Sequence, residues 1–155
     1  MSDAALRAHL IELLQMGHGH VKPGAALTGL PFDAWGKRPA GAPHTAWQLL
    51  EHLRFTQWDI LDFSRNPDYR EKKFPDDYWP LTETPPNEET RKDSVARFQS
   101  DLKEFQALIA DTGQDLLAKV PHGRGQTLLR EALLVADHNA YHLGQFVFLR
   151  KMLEG

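Results

Sequence analysis

Cysteine is absent from this chain of 155 residues. Disulfides, thiolate metal sites and a cysteine nucleophile are thereby excluded, so any thiol in its chemistry has to come from outside. A surplus of positive charge is missing too. The net charge is −3, and lysine and arginine gather only in short pairs such as Lys72-Lys73. Phosphate backbones are bound by concentrated basic surface, so nucleic acid is not expected as the main partner. No apolar run reaches the roughly eighteen residues that span a bilayer, so no membrane association is expected. Asp3, Arg7, His9 and Glu12 interrupt the apolar residues near the N-terminus, which leaves no signal-peptide core. The cytoplasm is the expected location. Sustained period-two alternation is also missing, so no segment reads as a strand.

What is present is helical periodicity in a chain of ordinary globular composition, 41% hydrophobic and 25% charged. Leu6, Leu10, Leu13 and Leu14 predict a helix over 3–16, ended or kinked by Gly17-His18-Gly19-His20. The segment from Pro23 to Pro43 reads as a loop with one short helix. Thr45-Ala46-Trp47-Gln48 has the form of a capping box, so a second long helix should start there and run to about Ser64. Pro67 to Pro86 is a long, proline-rich connection. Val95, Phe98, Leu102, Phe105, Leu108 and Ile109 form the apolar stripe of a third helix over 87–111. A connection with a turn at Leu116-Leu117 leads to a fourth helix over 127–153. Nothing divides the chain, and a single domain covering 1–155 is expected: an all-α four-helix bundle.

Two of the eight histidines, His138 and His142, stand one turn apart on the fourth helix and can aim at one point. Between Leu128 and Leu149 the charged residues are Arg130, Glu131 and Asp137, so this helix is expected to be buried around most of its circumference. On a helical wheel His138 and His142 share a side with Glu131, Val135, Gln145 and Leu149. The same construction on the second helix groups His52 with Thr45, Gln48, Leu49, Thr56, Asp59 and Phe63. Each face is mostly apolar with a few polar groups, the pattern of a pocket between helices. Three neutral imidazoles would leave a divalent metal with an open position for water or substrate. Imidazole ligation suits zinc, nickel, copper or iron, so the ligands do not choose the ion. The same spacing also fits buried imidazoles hydrogen-bonded to Asp59, Glu131 or Gln145, and at this level both readings stay open. Two familiar metal motifs are excluded. Asn139 stands where a zincin has its glutamate, and no glutamate has a histidine three residues later, as a di-iron bundle requires.

The blocks Thr45-Ala46-Trp47-Gln48-Leu49-Leu50-Glu51-His52-Leu53 and Asp137-His138-Asn139-Ala140-Tyr141-His142-Leu143-Gly144-Gln145, the latter followed by Leu149-Arg150-Lys151, resemble the DinB/YfiT-like metalloenzymes. That family places one ligand in an LLxHL-type helix and two in HxxxHxGQ near the C-terminus. The resemblance implies an up-down-down-up bundle in which His52, His138 and His142 hold a divalent metal. It also implies a small-molecule substrate, a low-molecular-weight thiol as co-substrate and a homodimer. The leading expectation is a metal-dependent, thiol-using S-transferase or a hydrolase acting on a small electrophile. The alternative is a non-catalytic stress-response protein that binds a metal or small ligand. Asp59 and Glu131 are the candidate catalytic residues, either orienting a ligand imidazole or accepting a proton. Gln145 is expected to bridge helices and Tyr141 to pack. His18 and His20 are expected in an exposed loop, and His9, His44 and His122 on the surface or in loops. Trp35, Trp47, Trp58 and Trp79 are read as packing residues rather than a binding cage.

Overall fold

The computed structural model describes residues 2–15, 19 and 21–154. Among these residues five α-helices follow one another: α1 (Asp3–Gln15), α2 (Pro23–Ala26), α3 (Ala46–Arg65), α4 (Glu88–Ala110) and α5 (Leu128–Glu154). A single 3-10 turn, Phe32–Ala34, lies between α2 and α3. No strand is present among the described residues, where the extended pairing is limited to one bridge, Lys119 to Thr127. Among the described residues no helix is long and apolar enough to cross a membrane. The expected loop over 23–43 thus holds a 3-10 turn besides its short helix. His18 and His20 lie outside the described residues.

Local chemistry sets the helix ends. The Thr45 hydroxyl accepts from the Gln48 amide, and the Gln48 side chain accepts from the Thr45 amide, so the capping box starts α3. Pro67 disfavours helical backbone at Asn66, and α3 stops at Arg65. Asn87 caps α4 by accepting from Thr90, with Glu88 and Glu89 suiting the positive end of the helix dipole. Thr127 Oγ1 accepts from the Arg130 amide at the head of α5.

Among the long helices, α3 packs against α4 and α5, and α1 packs against the same two. The α4 stripe buries Val95, Phe98, Leu102, Phe105 and Ile109 as its spacing requires. Each such side chain contributes about 1.5–3 kcal/mol when fully removed from water. Arg7 latches α1 in place, its buried guanidinium donating to the carbonyls of Ile109 (2.7 Å), Asp111 (2.9 Å) and Gln114 (2.5 Å) just beyond and at the end of α4. Ile109 lies in the last turn of α4, where carbonyls have no intrahelical partner.

The apolar interior forms two clusters. One contains Trp35, Leu49, Leu50, Leu53, Phe98, Leu143 and Phe146, the other Leu10, Leu14, Ile60, Leu61, Phe105, Ala132 and Val135. Along α3 and α5 the residues between them are buried and polar: Thr56, Gln57 and Asp59 after His52, and Asn139 between the two α5 histidines. Gln57 donates to the Phe98 carbonyl at 2.7 Å and accepts from Asn139 at 2.8 Å, tying three helices across this layer.

The last helix is, as expected, buried or half-buried around most of its circumference: between Leu128 and Leu149 the exposed residues, Arg130, Leu133, Asp137, Tyr141, Gly144 and Phe148, share one narrow face. Leu133, Tyr141 and Phe148 are 48%, 63% and 67% exposed and, with Met152, form an outward apolar stripe. Apolar residues on that one exposed face are ordinary in kind, since they supply much of any protein surface.

Candidate metal centre

α3 and α5 lie side by side, which sets His52 opposite His138 and His142 despite the long sequence separation. The Nε2 atom of His52 is 3.1 Å from Nε2 of His142 and 3.1 Å from Nε2 of His138. All three ligand nitrogens lie within 4.8 Å of one another. With metal–nitrogen bonds of about 2.0–2.1 Å, two nitrogens stand about 2.9 Å apart across a right angle and about 3.3 Å apart across a tetrahedral one. The observed spacing falls between these.

The outward nitrogens fix which inward atoms carry protons. His52 Nδ1 donates to the Tyr78 carbonyl at 2.9 Å, and His142 Nδ1 donates to Gln145 Oε1 at 2.8 Å. A neutral imidazole with its proton on Nδ1 presents a lone pair at Nε2. His52 and His142 therefore point lone pairs at each other across 3.1 Å, an arrangement that a cation between them resolves. His138 Nδ1 is buried without a hydrogen-bond partner. Burial pushes the His52 imidazole down to about 4, its Tyr78 bond opposing and neighbouring His142 and His44 adding. Burial and the adjacent imidazoles push His138 down to about 3. Burial also lowers His142, against the effect of its Gln145 bond. All three are thus neutral near pH 7, the protonation state that a metal ligand needs.

Sequence reasoning missed the strap that completes the centre. In the proline-rich connection after α3, Trp79 stacks on His52 with ring centroids 3.9 Å apart and planes 3° from parallel. Trp79 also stacks on His44 at 3.9 Å, so His44, in a loop as expected, backs the ring that covers His52. The strap is fastened to the head of α3, where Thr45 donates to the Glu83 carbonyl at 2.7 Å and Trp47 donates to Thr82 at 3.1 Å. Thr84 comes so close to Gly36 that a Cβ there would lie 1.9 Å from its methyl carbon, so that position needs glycine.

Neither expected carboxylate touches a ligand imidazole. Asp59 accepts from the hydroxyls of Tyr78 (2.6 Å) and Tyr69 (3.1 Å), and Glu131 accepts from Arg130 at 2.7 Å. Burial raises both carboxyls above their ordinary range, with the tyrosine hydroxyls opposing at Asp59 and Arg130 opposing at Glu131. Burial and Asp59 push the Tyr69 phenol up to about 12 and raise Tyr78 further. Gln145, expected to bridge helices, instead orients His142. Tyr141, expected to pack, is mostly exposed and meets His142 edge-on at 4.8 Å. His122 Nε2 donates to the Phe63 carbonyl at 2.9 Å, and His122 also lines the cavity. That cavity, about 720 Å³, reaches the three histidines, Thr56, Asp59 and Glu131 from outside. Its size suits a small molecule.

The family model of the DinB superfamily matches residues 24–146, well over half of the sequence. The chain belongs to the DinB superfamily. The matched region of this DinB chain contains all three histidines, Gln145 and the strap, and begins after α1. No curated protein and no solved structure matches it.

Proposed function

We propose that the protein is a metal-dependent enzyme in which His52, His138 and His142 hold a divalent ion and the cavity admits a small electrophile together with a low-molecular-weight thiol or water. The observation that carries this reading is the pair of lone pairs facing across 3.1 Å, with the proton of each ring held outward. Two of the three ligands have their outer nitrogen anchored, as metal-bound histidines regularly do. We further propose the up-down-down-up arrangement for the four long helices, and pairing with a second copy through the exposed stripe of α5.

A bound ion would supply a Lewis acid that brings the pKa of a thiol or water toward neutrality. The remaining steps fall to the chain. Asp59 receives the proton released, since burial has already moved its carboxyl toward the protonated form. Tyr69 and Tyr78 hold that carboxylate in place. Trp79 excludes bulk water from one face of the His52 ring, and the ion pair of Glu131 with Arg130 lines the same cavity.

Metal analysis of protein purified without a histidine tag should return close to one equivalent per chain, lost in His52→Ala and in His142→Ala. Full occupancy in both variants refutes the centre. A panel of electrophiles with several thiols should then give product that disappears on chelation. Product formation in neither the thiol nor the water arm favours a binding protein over an enzyme.

A further inference from the structure

We infer that the Thr56 hydroxyl is the hydrogen-bond donor to a small anion bound at the three-histidine centre, a thiolate being one such anion. The inference rests on the metal-centre reading and adds a positioning residue to it. Thr56 follows His52 by one turn on the same face of α3. It lines the cavity shared with the three histidines and is 9% exposed. Its Oγ1 nevertheless has no hydrogen-bond partner.

A hydroxyl inside a helix ordinarily bonds back to the carbonyl one turn earlier. Ser64, further along the same helix, does so, donating to the Ile60 carbonyl at 2.7 Å. Thr56 makes no such bond. The neighbouring carboxylate does not take its place, since the contacts of Asp59 are the hydroxyls of Tyr69 and Tyr78. An unpaired buried hydroxyl destabilises a folded chain, whereas valine fills the same volume without that cost. A hydroxyl left free at this place is thus explained by a ligand that arrives later. A hydroxyl can donate one proton while a metal-bound anion keeps lone pairs to receive it, so donor and acceptor match. The buried, unpartnered His138 Nδ1 is the rival partner.

The test uses the full chain loaded with cobalt(II), with azide as the anion and the visible cobalt spectrum as the readout. Thr56→Val should hold cobalt within about threefold of wild type and bind azide about ten- to a hundredfold more weakly, as loss of a hydrogen bond to a charged group implies. Thr56→Ser should restore azide affinity. Thr56→Val without cobalt should also unfold at the same or a higher temperature, because an unsatisfied hydroxyl has gone. Azide affinity unmoved by Thr56→Val overturns the inference while leaving the metal centre intact. So does a loss of cobalt affinity beyond about tenfold, which assigns the hydroxyl to His138 instead. Cobalt that fails to bind wild type, or binds but takes no azide, refutes the open centre itself and the inference with it. Should valine prevent folding, Thr56→Ala repeats the comparison under the same criteria.

Discussion

The most direct consequence of burying three imidazoles is that protons should compete poorly with the metal. Lowering the pH from 7.5 to 5.5 is the perturbation. An ordinary histidine, with a pKa of about 6.5, passes from roughly 90% to roughly 9% neutral over that interval. Three such ligands would cost about a thousandfold in metal affinity, because each must shed its proton to bind. In this protein burial holds His52 at about 4 and His138 at about 3, so both remain almost wholly neutral at pH 5.5. The sign follows: a depressed pKa moves proton competition to lower pH. His142 is lowered as well and can contribute at most about one factor of ten over the interval. Cobalt(II) affinity, measured by calorimetry at half-unit steps, should therefore fall less than about tenfold between pH 7.5 and 5.5. A fall of two orders of magnitude or more would show that the rings are solvated and would refute the burial on which the centre depends.

Gln145→Ala removes the acceptor for His142 Nδ1 and should lower zinc affinity about ten- to a hundredfold, with unchanged helix content by circular dichroism. Thr45→Ala breaks both the cap of α3 and the tie to the Glu83 carbonyl, so urea unfolding should register a loss of about 2 kcal/mol, roughly half from each. Zinc at a hundredfold excess over its dissociation constant should stabilise the fold by about 2.7 kcal/mol, seen as a midpoint raised by roughly 5–10 °C, and should leave His142→Ala unmoved.

The α-helices and the pairing of His138 with His142 were legible because their signals are local. Thr45 and Gln48 announce a helix start within four residues, and the α4 stripe repeats with the helical period. His138 and His142 share a face by spacing alone. His52 joined them on the strength of two matching blocks, since no local rule links segments so far apart. Tyr69, Tyr78 and Trp79 carried no such signal. They sit in a connection without periodicity, and their roles arise when the strap folds back across α3. The carbonyl of Tyr78 is invisible to any reading of side chains, yet it holds His52. The burial of α5 around most of its circumference was legible from its few charges, whereas the apolar residues on its one exposed face, Leu133, Tyr141 and Phe148, were not, because apolar residues also supply much of a protein's surface.

The polar layer between the two apolar clusters has a consequence for how α5 is aligned on α3. Leucines and phenylalanines are nearly interchangeable neighbours, so greasy faces alone tolerate sliding by one turn, about 5.4 Å. Such a slip would sever Asn139 from Gln57 and carry two imidazoles past the third. The costly groups in the middle of the fold thus act as an index mark that tells each helix how far along the other it belongs. Alignment and chemistry are written in the same few residues, and neither can drift without the other.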